Sequence, residues 1–175
     1  MPFKQIGLSN PLVRGILATG YTAPTEIQSQ AIPFAIEGRD IIGCAQTGTG
    51  KTAAFVLPIL DRLSQNRTDG TKYPGSLILT PTRELAVQIE KAIKGYSRYL
   101  DISTLAVYGG TNIKVQIKKL RRGVDIVVAT PGRLMDLTGR GAVNLKKIQV
   151  LVIDEADRMF DMGFIKDVKK IVKEL

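Results

Sequence analysis

Hydrophobic and polar positions follow two patterns along the chain. Short apolar runs rich in β-branched residues predict strands, and longer segments in which apolar positions recur with a helical period predict helices. Two of the helical segments are KTAAFVLPILDRLSQ (51–65) and RELAVQIEKAIKGYSRYL (83–100). The predicted strands are DIIGCA (40–45), SLILT (76–80), STLAVY (103–108), DIVVAT (125–130) and QVLVID (149–154). This alternation of strands and helices predicts repeated βα units.

The predicted strands are apolar along their whole length, which is typical of parallel strands covered on both faces. We therefore predict an α/β fold, a doubly wound parallel sheet with helices on both faces. Ligands of such sheets bind beyond the carboxyl ends of the strands, so the residues that follow each strand are the first candidates for a site.

Two helices are predicted ahead of the first strand. The first covers 11–19, with Ser9 or Asn10 as its N-cap and Gly20 as its stop, and the second covers 25–37 and stops at Gly38. Pro33 should bend the second helix.

Composition restricts the function. The 175 residues suit one hydrophobic core. No run reaches the roughly 18 apolar residues of a membrane span, and the N-terminus lacks a signal-peptide pattern, so we expect a cytoplasmic protein. With one cysteine, Cys44, and no histidine, the usual zinc-ligand sets and histidine catalysis are excluded. The net charge of +9 favours a polyanionic partner, either nucleic acid or an acidic membrane surface.

The segment AQTGTGKTAAF (45–55) has the pattern of a phosphate-binding loop between a strand and a helix. Gly48 and Gly50 permit a tight turn that directs backbone N–H groups and the helix N-terminus towards an anion. Lys51 would reach the β- and γ-phosphates, and the Thr52 hydroxyl is a suitable Mg²⁺ ligand. The generic pattern has glycine where this chain has Ala45, which is acceptable if the φ of that residue is negative. An ordinary glycine turn that opens a helix is the alternative.

The segment VLVIDEAD (150–157) brings Asp154 and Glu155 to the end of a predicted buried strand. Adjacent carboxylates are costly there unless a cation compensates, and a magnesium ion held by Thr52 would do so. We predict that Asp154 is the second magnesium ligand and that Glu155 orients and deprotonates the attacking water. The alternative is a solvated helix N-terminus that favours acids through its dipole.

AQTGTGKT and DEAD, together with GYTAPTEIQ, PTRELA, GG and TPGR, resemble the N-terminal RecA-like domain of DEAD-box RNA helicases, over the chain from Phe3 to about Phe164. The resemblance implies ATP-dependent remodelling of RNA duplexes or RNA–protein complexes, with ATP and Mg²⁺ as cofactors. The catalytic residues implied are Lys51, Asp154 and Glu155. The implied cofactor-binding residues are Tyr21, Gln28, Ala45, Gln46, Thr47, Gly48, Thr49, Gly50, Lys51 and Thr52, with Thr52 and Asp154 on the metal.

The resemblance also assigns the base-recognition segment GYTAPTEIQ. Tyr21 offers a ring on which adenine can stack, and the Gln28 amide can donate to and accept from the adenine edge, so ATP is favoured over GTP. Phe3 lies 17 residues before Gly20, where the family keeps an isolated aromatic residue. Without the resemblance to this family, we would interpret Tyr21 and Phe3 as packing residues and Gln28 as a residue of a helix surface.

For RNA, the resemblance implies three loops that grip phosphates and 2′-hydroxyls of one strand without reading its sequence. By contrast, the basic run KVQIKKLRRG (114–123) is typical of a solvated helix face. Read from spacing alone, PTRELA and TPGR are equally well explained as helix caps. The implied RNA-binding residues are Pro81, Thr82, Arg83, Gly109, Gly110, Thr130, Pro131, Gly132 and Arg133.

For domain organisation we expect a helical lead-in at 1–37 and an ATP-binding RecA-like domain at 38–175 that stops before the family's Ser-Ala-Thr strand, the expected partner of Asp157. The resemblance implies a second RecA-like domain that is not in these residues, and little activity for the fragment alone. Two alternatives are an ATP-gated RNA clamp that does not unwind, and an unrelated P-loop protein such as a small-molecule kinase or a DNA translocase.

Overall fold

The structure is a computed structural model and describes residues 2–46, 48–65 and 73–175. Contacts between Cα atoms divide the chain into two compact units. The first unit comprises Met1–Arg67 and Lys91–Ile102, and the second comprises Thr68–Glu90 and Ser103–Leu175.

The described residues form α-helices and parallel strands that follow one another along the chain. The helices are α1 (Pro2–Gln5), α2 (Asn10–Ala18), α3 (Glu26–Ile36), α4 (Lys51–Gln65), α5 (Arg83–Tyr96), α6 (Ile113–Arg121), α7 (Pro131–Gly139), α8 (Ala156–Asp161) and α9 (Ile165–Glu174). The strands are β1 (Ser76–Leu79), β2 (Thr104–Val107), β3 (Ile126–Ala129) and β4 (Val150–Ile153), with a 3₁₀ turn at Leu145–Lys147.

The two leading helices confirm the prediction from capping residues. Ser9 is the N-cap of α2, and the helix ends two residues before Gly20, which has a φ of +92° and donates its N–H to the carbonyl of Leu17. Thr25 is the N-cap of α3, and Gly38 follows the helix with a φ of +81°. Both glycines adopt the left-handed conformation that ends a helix with little strain.

The sheet has the order β2-β3-β1-β4, and every described pair of strands is parallel. Ser76 of β1 lies opposite Ile126 of β3 and Val150 of β4. Strands β1 and β3 are buried at every position, which requires cover on both faces of the sheet. The parallel arrangement and four of the five predicted strands are therefore confirmed.

The predicted strand at 40–45 is wrong, because the structure has no strand there. A strand is stable only when its backbone groups pair with a neighbour, and no strand among the described residues pairs with this segment. The side chain of Ile42 is 98% exposed.

The expectation that a buried strand carries the DEAD residues is also wrong. Strand β4 is half-buried, and Ile153 at its end is 40% exposed. Among the described strands β4 pairs with β1 alone, so it forms an edge of the sheet.

Each unit has its own apolar core. In the first unit, Leu12, Ile16, Ile32, Leu57 and Leu60 of helices α2, α3 and α4 are almost fully buried. In the second unit, side chains of β1, β2 and β3 form one cluster with residues of α7, α8 and α9. No helix of the described part of the chain combines the length and the apolar character needed to cross a bilayer.

Candidate active site

The candidate residues divide between the two units. The first unit holds the glycine-rich loop with Lys51 and Thr52, and also Tyr21 and Gln28. The second unit holds the acidic pair Asp154 and Glu155 and the three loops implied for RNA. Thr47 of the glycine-rich loop lies outside the described residues.

The glycine-rich loop turns sharply into a helix, as its sequence predicts. Gly48 and Gly50 have φ values of +82° and +92°, and α4 begins at Lys51. The Thr49 hydroxyl donates to the carbonyl of Gln46 at 2.7 Å and closes the turn. Ala45 does not have a positive φ, so alanine fits at this position. The loop therefore opens a helix of 15 residues with the geometry of an anion site.

The ammonium group of Lys51 folds back over this turn. Its Nζ donates to the carbonyl oxygen of Ala45 at 2.5 Å. A phosphate is a much stronger partner for an ammonium group than one neutral carbonyl. The contact therefore holds Lys51 where an anion in the loop would capture its ammonium group.

Gln28 is fully buried. The interpretation of Gln28 as a residue of a helix surface, made from the sequence without the family, is therefore wrong. Its Oε1 accepts from the backbone N–H of Thr25, and its Nε2 donates to the carbonyl of Gly50, each at 3.1 Å. A Cβ atom at Gly50 would lie 2.3 Å from this Nε2. Gln28 therefore joins α3 to the glycine-rich loop. The φ of Gly50 favours glycine at this position, and a Cβ atom there would displace the Gln28 amide.

Tyr21 and Phe3, the two aromatic candidates, have different surroundings. Phe3 is 1% exposed and is a core residue, so the packing interpretation fits it. Tyr21 is 45% exposed and packs edge-to-face against Tyr96, with ring centroids 6.1 Å apart and an interplanar angle of 66°. Burial raises the pKa of Tyr96 to about 12, and the charge and hydrogen bond of the adjacent Tyr21 act in the same direction.

In the second unit, the acidic pair begins where β4 ends. The N–H of Asp154 donates to the carbonyl of Leu79 at 2.9 Å and continues the pairing of β4 with β1. Glu155 has a φ of 51° and a ψ of 50°, the left-handed conformation, and its carboxylate pairs with Arg158 at 3.1 Å. It is the non-glycine residue with positive φ in the described part of the chain. Such strain, which the sequence pattern does not reveal, clusters at functional sites. Asp157 lies in the first turn of α8.

Two of the loops implied for RNA lie together. Thr82 accepts from the N–H of Leu85 at 3.3 Å in the first turn of α5. The guanidinium carbon of Arg83 lies 5.2 Å from the centre of the Tyr108 ring. A Cβ atom at Gly110 would lie 4.0 Å from Nη1 of Arg83. Arg83 is therefore held beside the Gly109–Gly110 turn, where both could approach one anionic strand.

Arg133 ties the third loop to the same place. Its Nη1 and Nη2 donate to the carbonyl of Thr111 at 3.3 and 3.2 Å, and Nη1 also donates to Oε1 of Gln116 at 3.0 Å. Gln116 is buried and donates to the Thr111 hydroxyl at 2.8 Å and to the carbonyl of Tyr108 at 3.2 Å. Arg133 thus orders the glycine turn from within, a role that its sequence motif did not predict.

The comparisons with known proteins identify the family of the chain. The sequence profile described as "DEAD/DEAH box helicase" matches residues 25–175. The chain belongs to the DEAD/DEAH box helicase family. The resemblance stated from the motifs is thereby confirmed.

Relatives in the DEAD/DEAH box family match nearly the whole chain. It is 47% identical over 174 residues to "ATP-dependent RNA helicase DeaD" of Buchnera aphidicola, with 99% of this chain and 28% of that protein covered. It is 49% identical over 172 residues to "RNA helicase CrhR" of Synechocystis, with 98% and 34% covered. The chain therefore spans about a third or less of the length of these relatives.

A solved structure gives the same fold. The crystal structure titled as a hypothetical ATP-dependent RNA helicase from Sulfolobus tokodaii superposes with a TM-score of 0.86 at 42% identity. It covers 95% of this chain and 47% of that one. The predicted α/β class, a RecA-like domain with a parallel sheet flanked by helices, is confirmed.

Membership of the DEAD/DEAH box family leaves the individual site residues as predictions. Among the described residues, no group of three or more Asp, Glu, Cys or His side chains could hold a metal ion.

Proposed function

We propose that the chain is the ATP-binding part of an RNA-dependent ATPase that unwinds RNA duplexes or remodels RNA–protein complexes. The observation that carries the proposal is the turn at Gly48 and Gly50, which places Lys51 at the N-terminus of α4. Relatives that share the whole segment are named RNA helicases, two of those described above being named ATP-dependent, which supports both ligands.

The glycine-rich loop fits a nucleoside triphosphate. The Lys51 ammonium would exchange the carbonyl of Ala45 for the β- and γ-phosphates, while loop N–H groups bind phosphate oxygens. Thr52 would be a direct ligand of the magnesium ion, and Asp154 would hold it through water. When bound, the ion neutralises charge on the phosphates.

Glu155 is the proposed general base. Its left-handed backbone turns the chain from β4 into α8, and the carboxylate remains partly accessible. To accept a proton from the attacking water, the carboxylate must give up part of its contact with Arg158. An exposed ion pair of this kind contributes about 1 kcal/mol or less, so the exchange costs little.

Adenine selection is assigned to Tyr21 and Gln28. Both polar ends of the Gln28 amide already have backbone partners, at Thr25 and Gly50. The amide keeps a second N–H hydrogen and a second lone pair, so Gln28 could contact adenine while it retains these bonds. Because the Gly50 bond belongs to the phosphate loop, base recognition and the shape of this loop would be coupled.

RNA would be gripped through its backbone by the three loops of the second unit. The guanidinium group of Arg83 lies beside the glycine turn and would supply the positive charge for a phosphate. The guanidinium group of Arg133 is hydrogen-bonded within the loops instead. A Cβ atom at Gly109 or at Gly132 would meet no atom within 4 Å, and neither residue has a positive φ. Their lack of a side chain therefore suits the close approach of a ligand. Recognition of sugar and phosphate implies weak sequence preference.

We further propose that the full-length protein carries a second RecA-like domain and a Ser-Ala-Thr segment as the partner of Asp157, because its relatives are about three times longer. Catalysis of phosphoryl transfer needs cationic groups facing the phosphates, so this segment alone should hydrolyse ATP poorly. RNA as a substrate favours a cytoplasmic location.

The test separates binding from hydrolysis in the full-length protein. Lys51→Ala should abolish ATP binding in a nucleotide titration, because it removes the phosphate partner. Glu155→Gln should bind ATP normally but release no phosphate when RNA is present. If both variants fail at the same step, the roles are misassigned. A duplex-displacement assay run beside an RNA-retention assay distinguishes an unwinding enzyme from an ATP-gated clamp.

Gln28 has its own test. Gln28→Ala should lose the preference for ATP over GTP in competition binding, because the amide assigned to base recognition is removed. An unchanged preference would exclude Gln28 from base recognition.

A further inference from the structure

Tyr21 combines an exposed ring with a rigid neighbour. Nearly half of its side chain is open to solvent, and the described aromatic contact that it makes is the edge-to-face packing with Tyr96. An exposed aromatic ring with no such support would sample several rotamers. Contact at one side therefore limits the orientations of Tyr21 while leaving part of the ring open.

Tyr96 is itself fixed by its backbone. A Cβ atom at Gly15 of α2 would lie 1.9 Å from the carbonyl oxygen of Tyr96, and one at Gly95 would lie 3.1 Å from Cγ2 of Thr19. The last turn of α5 thus packs on α2 at a distance that only glycine permits. Tyr96 is 5% exposed, so its ring has little freedom.

We propose that Tyr96 is a positioning residue for nucleotide binding, which holds the ring of Tyr21 so that its open face stacks on the adenine base of the nucleotide. The proposal rests on the proposed function and deepens it, because Tyr96 belongs to none of the motifs from which that function was argued. Its effect is exerted through Tyr21 and not by contact with the ligand.

The chemistry of the pair agrees with this role. Burial, with the charge and hydrogen bond of Tyr21, raises the pKa of Tyr96 to about 12, which agrees with a hydroxyl held in a contact with Tyr21. The hydroxyl can then take part in the hydrogen bond with Tyr21, while the ring edge supplies the packing. Adenine recognition needs a flat ring in a set orientation, and both contacts help to set it.

The experiment compares two probes, ATP and inorganic tripolyphosphate, by equilibrium titration. Tyr21→Ala should weaken ATP binding about tenfold, because a stacking contact is lost, and should leave tripolyphosphate binding unchanged. Tyr96→Phe keeps the buried ring and removes the hydroxyl, so a loss for ATP of about two- to tenfold is expected, again without loss for tripolyphosphate. Tyr99→Phe is the matched control, since the described ring contacts of Tyr99 are with Arg14 and Arg98, and it should change neither affinity.

A double variant tests whether Tyr96 acts through Tyr21. Adding Tyr96→Phe to Tyr21→Ala should cause no further loss of ATP affinity, because the ring to be positioned is already absent. Full additivity of the two losses, or an effect of Tyr96→Phe on tripolyphosphate equal to that on ATP, would overturn the inference. Unchanged ATP affinity in Tyr96→Phe would also overturn it, whereas unchanged affinity in Tyr21→Ala would refute the stacking role itself.

Discussion

Gly15→Ala tests the packing of α2 against the last turn of α5. Alanine is the better helix former by about 1 kcal/mol, so in an exposed helix the substitution would stabilise the protein. Here the new Cβ atom would lie 1.9 Å from the carbonyl oxygen and 2.9 Å from the carbonyl carbon of Tyr96, whereas ordinary contact begins at 3.4 Å. These are backbone atoms, so no side-chain rotation can relieve the overlap.

The expected result is a clear loss of stability. Overpacking of a core costs typically about 1–3 kcal/mol, and a rigid backbone neighbour places this site at the upper end. After subtraction of the gain in helix propensity, the free energy of unfolding should fall by about 2 kcal/mol. For a chain of this size that corresponds to a decrease in Tm of about 4–8 °C. Urea and thermal unfolding followed by circular dichroism measure both quantities.

Two other helical glycines provide controls of graded severity. Gly139→Ala at the end of α7 meets no atom within 4 Å and should be neutral or gain up to about 1 kcal/mol. Gly95→Ala places its Cβ 3.1 Å from a methyl group of Thr19, which can move slightly, so its effect should lie between the other two. If Gly15→Ala is as stable as the parent chain, α2 does not pack on Tyr96 as described.

Three further predictions concern strain, titration and buried hydrogen bonds. Glu155→Gly should raise the free energy of unfolding by about 1 kcal/mol in urea titrations, because glycine adopts the left-handed conformation without the strain that glutamate has there. The same variant should lose phosphate release. A lower free energy of unfolding would argue against backbone strain at Glu155. Because the pKa of Tyr96 is raised, the contribution of its titration to the free energy of unfolding is complete below pH 10 and is lost as the pH rises towards 12. Tyr96→Phe should therefore lose less stability over this pH range than the parent chain in unfolding measurements. The same pH dependence in both proteins would contradict this prediction. Gln116→Leu should cost about 2 kcal/mol in thermal unfolding because it removes one acceptor of Arg133 and the amide that donates to Tyr108 and Thr111, and a cost near zero would mean that these bonds contribute little.

The sequence predicts most of the sheet because its signals are local. Apolar runs marked β1 to β4 correctly, and Ser9, Gly20 and Gly38 marked helix ends through capping chemistry. The run at 40–45 has the same local signal but no strand, since pairing depends on a neighbour that a pattern of residues does not show. The half-exposure of β4 has the same cause, because burial of a strand is set by its position in the sheet order.

The candidate site shows a similar division. The turn at Gly48 and Gly50 and the helix start at Lys51 follow from residue type. Gln28 bonds to Gly50 and Arg133 bonds to Thr111, and the partners are 22 positions apart in each case. The spacing of residues along the sequence carries no information on such contacts. The left-handed Glu155 was equally hidden, because glutamate has no preference for that conformation.

The position of β4 has a practical consequence for purified protein. Along the side of β4 away from β1, no described strand satisfies its N–H and C=O groups, and the sequence VLVI offers neither a charge nor a proline. Natural sheets use those residues to repel foreign strands. We therefore expect concentrated stocks of this chain to aggregate through this strand edge, and a lysine introduced at Ile153, which is 40% exposed, should slow that aggregation.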